Sequence, residues 1–142
     1  MKKKKRRFCR LFAAVFMAVF VQGCSGGEAL SSMPDCRVVE GVRVYYECGG
    51  IRLERVYLAP EKIRSILNYL RVIDPYGPPE EDPEKADGSS FRIELHYSDG
   101  CSNTYLQKGD RFMKTDGGDW KRIDPKRARE LSRILGTMEA DM

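Results

Sequence analysis

The chain has 142 residues, 42% hydrophobic and 32% charged, with a formal net charge of +4. This length suits one domain behind a short leader, and the hydrophobic share is enough to build a core. The positive balance sits at one end of the chain and is no argument for nucleic-acid binding, which requires a basic domain face.

The first ten residues, "MKKKKRRFCR", carry seven basic side chains and no acidic one. The apolar run that follows, Leu11 to Val21, is 11 residues long. A spanning helix needs roughly 20 residues to cross a hydrocarbon core. A cationic head on a short apolar body predicts a secretory signal peptide over residues 1–23. Positive charge ahead of the apolar segment holds that end in the cytoplasm.

The exit from this run, "VQGC" (Val21–Cys24), resembles the lipobox of bacterial lipoproteins: an aliphatic residue, a variable one, a small one, then Cys. The resemblance implies cleavage between Gly23 and Cys24. It also implies a diacylglyceryl group on the Cys24 thiol, with palmitate-class chains. Each buried methylene contributes about 0.8 kcal/mol, and two or more chains make a stable anchor. Residues 24–35, including "SGGEALSSMPD", read as the lipidated cysteine and a flexible tether. The expected location is the extracytoplasmic face of the cell membrane. Ser25 after the cysteine permits outer-membrane sorting in a diderm, by analogy with the family.

Removing residues 1–23 takes away seven of the 25 Lys and Arg residues and none of the 21 Asp and Glu residues. The remaining 18 bases against 21 acids give a net charge of −3. With Cys9 lost and Cys24 acylated, Cys36, Cys48 and Cys101 remain. Outside the cytoplasm the redox conditions permit one disulfide. Three pairings are open, and Cys36–Cys48 is preferred because a turn at Glu40-Gly41 could fold one strand end toward the other.

Residues 36–142 read as a single α+β domain. "VRVYYECGGIRLERVYL" (Val42–Leu58) predicts a hairpin with Gly49-Gly50 as a two-residue loop. Val44 and Tyr46 then share a face with Leu53 and Tyr57, and Arg55 interrupts the stripe. In "PEKIRSILNYLRV", Ile63, Ile66, Leu67 and Leu70 follow the i, i+3, i+4, i+7 pattern of one helical face. This stripe is assigned to the core. Residues 74–90, rich in Pro, Gly and acid, predict a mobile, solvated loop.

A meander follows. Phe91, Ile93, Leu95 and Tyr97 are expected inward, with Arg92, Glu94 and His96 outward. Asp99-Gly100 reads as a two-residue turn that sets His96 opposite Asn103. "CSNTYLQ", "RFMKT" and "DWKRI" supply three more strands. Asp124 is the expected N-cap and Pro125 the first residue of a last helix, with Ala128, Leu131 and Leu135 inward. Trp120, the only tryptophan, is expected in the core between sheet and helix, near Leu131 and Leu135; a sugar-stacking platform is the alternative. The fold class is therefore an antiparallel sheet, hairpin plus four-stranded meander, with two helices packed on one face.

No chemistry-bearing constellation stands out. His96 is the only histidine, and a nucleophilic pair with Cys101 requires hydrogen-bond reach and an orienting group. The expected outward position of His96 argues against it. Cys36, Cys48, Cys101 and His96 lack the spacing of a zinc site. The acidic turns do not fit a calcium loop, and Asp suits β-turns for its own reasons. No metal or cofactor is expected. Lys121, Arg122, Lys126, Arg127, Arg129 and Arg133 form a basic cluster, read as a solvated helix face, with anionic headgroups or wall polymers as the functional alternative.

"YYECGGIRL" (Tyr45–Leu53) and "YSDGCSNTYLQKGDRFMKTDG" (Tyr97–Gly117) resemble segments of periplasmic and lipoprotein inhibitors of C-type lysozyme. That resemblance implies a small β-barrel that inserts a Ser and a Lys into the lysozyme cleft. Lys108 matches the Lys, whereas Ile93 stands where the Ser is expected. Phe91 to Leu135 is similar to uncharacterised bacterial lipoproteins that end in a meander and helix, which implies no activity. The expected function is a non-enzymatic, lipid-anchored module that binds an envelope protein or wall component. A lysozyme-inhibitor-like protein is the alternative.

Overall fold

The structure is a computed structural model, and residues 38–142 are described. Gly23, Cys24, Cys36 and the tether lie outside the described residues. The signal peptide, the acyl site and one half of the preferred disulfide are therefore expectations from the sequence alone.

The first two strands, β1 (Val39–Cys48) and β2 (Ile51–Tyr57), form a hairpin closed by Gly49 and Gly50. Both loop residues have positive φ, 56° and 84°. This is the conformation that a two-residue turn matched to strand twist demands, and it favours glycine. Val42 faces Tyr57, Val44 faces Arg55 and Tyr46 faces Leu53, as the two-residue loop predicts.

Helix α1 (Pro60–Val72) follows. Pro60 occupies the first helical turn, where a missing N–H costs nothing. Ile63, Ile66 and Leu70 are buried, and Leu67 packs against the core. Tyr69, not counted in the predicted stripe, is buried with them.

Four more strands complete the sheet: β3 (Ser90–Tyr97), β4 (Ser102–Lys108), β5 (Phe112–Thr115) and β6 (Lys121–Arg122). All neighbours are antiparallel, in the order β2-β1-β3-β4-β5-β6. The chain leaves the hairpin at β2, runs through α1, and returns to pair β3 with β1. Helix α2 (Pro125–Thr137) closes the fold. Asp124 caps it by accepting from Lys126 N at 3.0 Å, with Pro125 at the first helical position. The protein is an α+β fold, as the element order implies.

One core gathers the inner side of the sheet and both helices. Val42, Ile93, Leu95 and Met113 from the sheet are sealed against Ile66 of α1 and Leu131 of α2. Phe91, Ile93, Leu95 and Tyr97 are all buried, so the alternation in β3 is the one read from sequence.

Charged groups remote in sequence finish the helix ends. Asp141 accepts from Leu58 N at 2.6 Å and Ala59 N at 2.9 Å, and also pairs with Lys62. It places a carboxylate at the start of α1, where the helix dipole favours negative charge. Arg127 Nη1 donates to Val72 O at 3.3 Å at the end of α1. Arg55 Nη1 donates to Leu135 O at 2.9 Å near the end of α2. The break that Arg55 makes in the apolar stripe of β2 therefore has a structural use.

Two expectations are corrected. The turn after β3 has three residues, Ser98 to Gly100: Tyr97 N bonds Cys101 O and Gly100 N bonds Tyr97 O, each at 3.0 Å. His96 consequently faces Ser102, not Asn103. Asp99 fixes the longer turn by accepting from Cys101 N at 2.9 Å. Trp120 is also not in the core. Ile123 joins the core instead, buried to 2% exposure, while Trp120 is half-buried beside Lys114 and Glu84.

Candidate functional site

Strand alternation divides the side chains of the sheet between two faces. The inner face packs on the helices. The outer face carries Glu54, Tyr45, Arg92, Leu106 and Lys114 in one cross-strand row. The adjacent row carries Arg52, Glu47, Ser90, Lys108, Phe112 and Arg122. Neither helix covers these rows.

Residues 74–90 wall one side of this face. The segment leaves α1, and Tyr76 forms a two-way backbone bridge to Arg122, at 2.9 and 3.1 Å, on the edge of β6. Pro83 is buried and starts a short 3-10 turn, Pro83–Lys85, capped by Asp82. Glu80 pairs with Arg122 at 2.9 Å, Glu81 with Arg111, and Glu84 accepts from Trp120 Nε1 at 3.1 Å. The segment is mostly exposed, as a solvated loop would be, and these contacts dock it against the edge of the sheet. The acids of the segment match the bases of β5, β6 and their turns, so the pairing signal was present in the sequence as opposite charge. Exposed pairs of this kind individually contribute little; burial of Pro83 and the backbone bridge contribute to holding the segment in place.

Between this wall and strands β1, β3 and β4 lies a cleft of about 690 Å³. That volume is within the ~300–1,000 Å³ typical of small-ligand sites. Tyr45, Tyr46, Phe91 and Trp120 are its aromatic residues, of which Tyr45 and Trp120 are off the core. Each of these two has a cation beside it: Arg92 Cζ lies 5.8 Å from the Tyr45 centroid, and Lys114 Nζ lies 4.7 Å from the Trp120 centroid. Both distances permit cation–π attraction. Arg92 is held by Glu94 at 2.9 Å and Lys114 approaches Glu84 at 4.0 Å. Glu47 and Arg52 pair across the hairpin at 3.4 Å.

The floor of the cleft is stiffened from behind by Gln107, the one buried polar side chain among the described residues, at 2% exposure. It accepts from the Tyr69 hydroxyl of α1, and its amide nitrogen donates to Gly109 O at 2.9 Å and lies 3.5 Å from Ala128 O of α2. One amide thus ties both helices to β4 and its turn. Burial pushes the Tyr69 phenol well above the usual range despite this bond, and pushes Tyr105 up to about 12. Both therefore stay neutral at physiological pH.

The structure separates the residues considered for catalysis. His96 points to the outer face, 3.6 Å from Glu94, whereas Cys101 packs against the inner core beside Tyr97. They belong to opposite faces of the sheet, so a nucleophile–base pair does not form. Cys48 is half-buried at the end of β1 and is not joined to Cys101. Beside it, Tyr46 has its phenol raised, first by a hydrogen bond with the Cys48 thiol and then by burial. Among the described residues no group of three His, Cys, Asp or Glu side chains could hold a metal. No helix among them is long and apolar enough to cross a membrane.

The basic cluster is partly spent on structure. Arg122 pairs with Glu80, Arg127 lies near Asp124 at 3.9 Å, Arg129 meets Asp110 at 3.1 Å and Arg133 pairs with Glu130. Lys108 lines the cleft, and Ile93 is fully buried. Sequence reading missed Tyr45, Arg92 and Glu84 as residues that line one cleft with Trp120. Tyr45 and Arg92 were legible as cross-strand partners once β3 is paired with β1; Glu84 was not, because residues 74–90 carry no periodicity.

Comparison with protein-family models, curated proteins and solved structures returns no match for this chain.

Proposed function

We propose that this protein is a lipid-anchored, extracytoplasmic binding module, held to the membrane by diacylglyceryl-Cys24, whose ligand site is the cleft on the outer face of the sheet. The observation that carries the reading is the cleft itself. Two aromatic rings with adjacent cations, Tyr45 with Arg92 and Trp120 with Lys114, are kept off the core and within reach of solvent. Trp120 has a structural partner there in Glu84, yet its ring is left half-exposed while Ile123, three residues on, is buried in the core. The sequence supports the anchor, through the leader and the "VQGC" motif.

The separation of His96 from Cys101 supports binding over catalysis. The lysozyme-inhibitor-like alternative implies a small closed barrel. An open six-stranded sheet with two helices on one face does not favour it, although Lys108 does reach the rim of the cleft.

The test is retention of envelope components by the immobilised full chain in detergent, compared with Trp120→Ala and Arg92→Gln. The expected result is a retained component lost in both variants. Retention that neither variant changes overturns the cleft as the binding site, and inhibition of a C-type lysozyme by the wild type would favour the alternative.

A further inference from the structure

We propose that the cleft takes an uncharged glycan, a ligand class that deepens and rests on the binding-module reading above. The charge of the lining points to it. Glu47, Glu54 and Glu84 are matched by Arg52, Arg92 and Lys108, and Lys114 beside Trp120 adds one positive charge. A lining so nearly balanced, with both signs interspersed, has little field to draw in a polyphosphate, a nucleic acid or a polycation.

The same lining is unsuited to an apolar ligand. Small apolar molecules need predominantly hydrophobic walls with few polar groups. Here four aromatic residues, Leu53 and Leu106 share the lining with six charged side chains, more charge than a purely apolar ligand tolerates. A peptide added as a strand is also disfavoured at this place. The floor is the face of β1, β3 and β4, which are paired on both sides; the one lining strand with an open side, β2, is at the far rim of the sheet from Trp120. Strand addition requires a free sheet edge.

A pyranose meets what remains. Its C–H-rich face packs on an aromatic ring, and its rim of hydroxyls both donates and accepts. Carboxylates accept from hydroxyls, whereas Arg52 and Arg92 donate to them. Glu47, Glu54 and Glu84 are each at least half exposed, so a hydroxyl replaces a water on them with little net desolvation. Tyr45 and Trp120 stand on different walls of one open cleft, one on β1 and the other after β5, an arrangement that suits more than one sugar unit.

The experiment is a titration of Trp120 fluorescence in the full chain, in detergent, with two neutral tetrasaccharides, chitotetraose and cellotetraose. Heparin serves as the charged control. A saturable shift with at least one neutral tetrasaccharide and a weaker response to heparin is expected. Tyr45→Ala, which keeps the reporter, should weaken that binding by roughly tenfold or more, as loss of a central aromatic contact does. Arg92→Gln, on an exposed side chain, gives the same comparison if Tyr45→Ala unfolds. No saturable response to either neutral tetrasaccharide, tighter binding of heparin, or unchanged affinity in the variants overturns the proposal. Retention of an envelope protein that still depends on Trp120 and Arg92 would then leave the binding-module reading standing without the glycan.

Discussion

The guanidinium of Arg55 and the carbonyl of Leu135 meet at 2.9 Å although 80 residues separate them. Strand β2 is at the edge of the sheet, and this bond is a tie from that edge to the end of α2. A charge-assisted hydrogen bond at a half-buried site contributes about 1.5–3 kcal/mol. Arg55→Ala should therefore lower stability by roughly 1–3 kcal/mol. Arg55→Lys should recover part of the loss, because an ammonium still complements the helix C-terminus. Urea denaturation of the three proteins measures this, and equal midpoints would show that the contact contributes nothing.

Gln107 makes a sharper case. Replacing it with Ala leaves the Tyr69 hydroxyl buried without its acceptor. Each such orphan costs roughly 1–3 kcal/mol, and the lost packing adds to it. Gln107→Leu with Tyr69→Phe removes both partners and should cost less than Gln107→Ala alone. A double-mutant cycle by chemical denaturation gives the coupling; additive effects would contradict the clamp.

Asp141 links stability to acid. Its folded carboxyl is lowered from 3.8 to about 2, first by Lys62 and then by the backbone N–H groups of Ala59 and Leu58. A carboxyl depressed on folding contributes stability that is present above the unfolded value and lost as pH falls through the folded one. The stability gap between wild type and Asp141→Asn should be constant near neutral pH and close between about pH 4 and 2. A gap that persists unchanged at the acid end would refute this role.

Trp120 should emit as a half-exposed indole and be quenched by acrylamide. Trp120→Ala should cost well under the roughly 3–5 kcal/mol of a core tryptophan. Lys114→Gln should alter the emission without unfolding the domain, since the ammonium sits over the ring. A blue-shifted emission that acrylamide cannot reach would place the ring in the core after all.

The anchor is tested at the N-terminus. Cys24→Ala should abolish acylation and signal processing, because only a thiol accepts the diacylglyceryl group. Mass spectrometry of the mature protein is decisive: an unmodified chain starting anywhere but Cys24 would falsify the lipoprotein reading.

Much of the architecture was legible because local signals agreed with each other. Gly49-Gly50 set the first register, the alternation from Phe91 to Tyr97 set the buried face of β3, and Asp124-Pro125 set the start of α2. The errors arose where one residue of phase decides a face. Asp99 can bond the Cys101 N–H, and this favours a three-residue turn over the two-residue one that Asp-Gly suggests. Trp120 and Ile123 are three residues apart, an odd spacing that a strand places on opposite faces; once Ile123 is core, Trp120 is not. The cleft was the least legible feature. Its wall comes from residues 74–90, whose placement depends on contacts with β5 and β6 and on no periodicity of its own.

The way the two rims of the sheet are finished has a consequence for crowding. Val56 of β2 exchanges backbone bonds with Asp141 and Met142, and Arg122 of β6 does so with Tyr76. The rest of β2 presents Arg52 and Glu54 alternating with the exposed Ile51 and Leu53. Proteins confined to a surface meet one another far more often than proteins in bulk, and exposed strand rims then join neighbours into sheets that grow. Blocked backbone groups on one rim, and blocked groups plus charge on the other, oppose that growth. On the proposed anchor, these blocks would help neighbouring copies of the domain stand side by side as separate units.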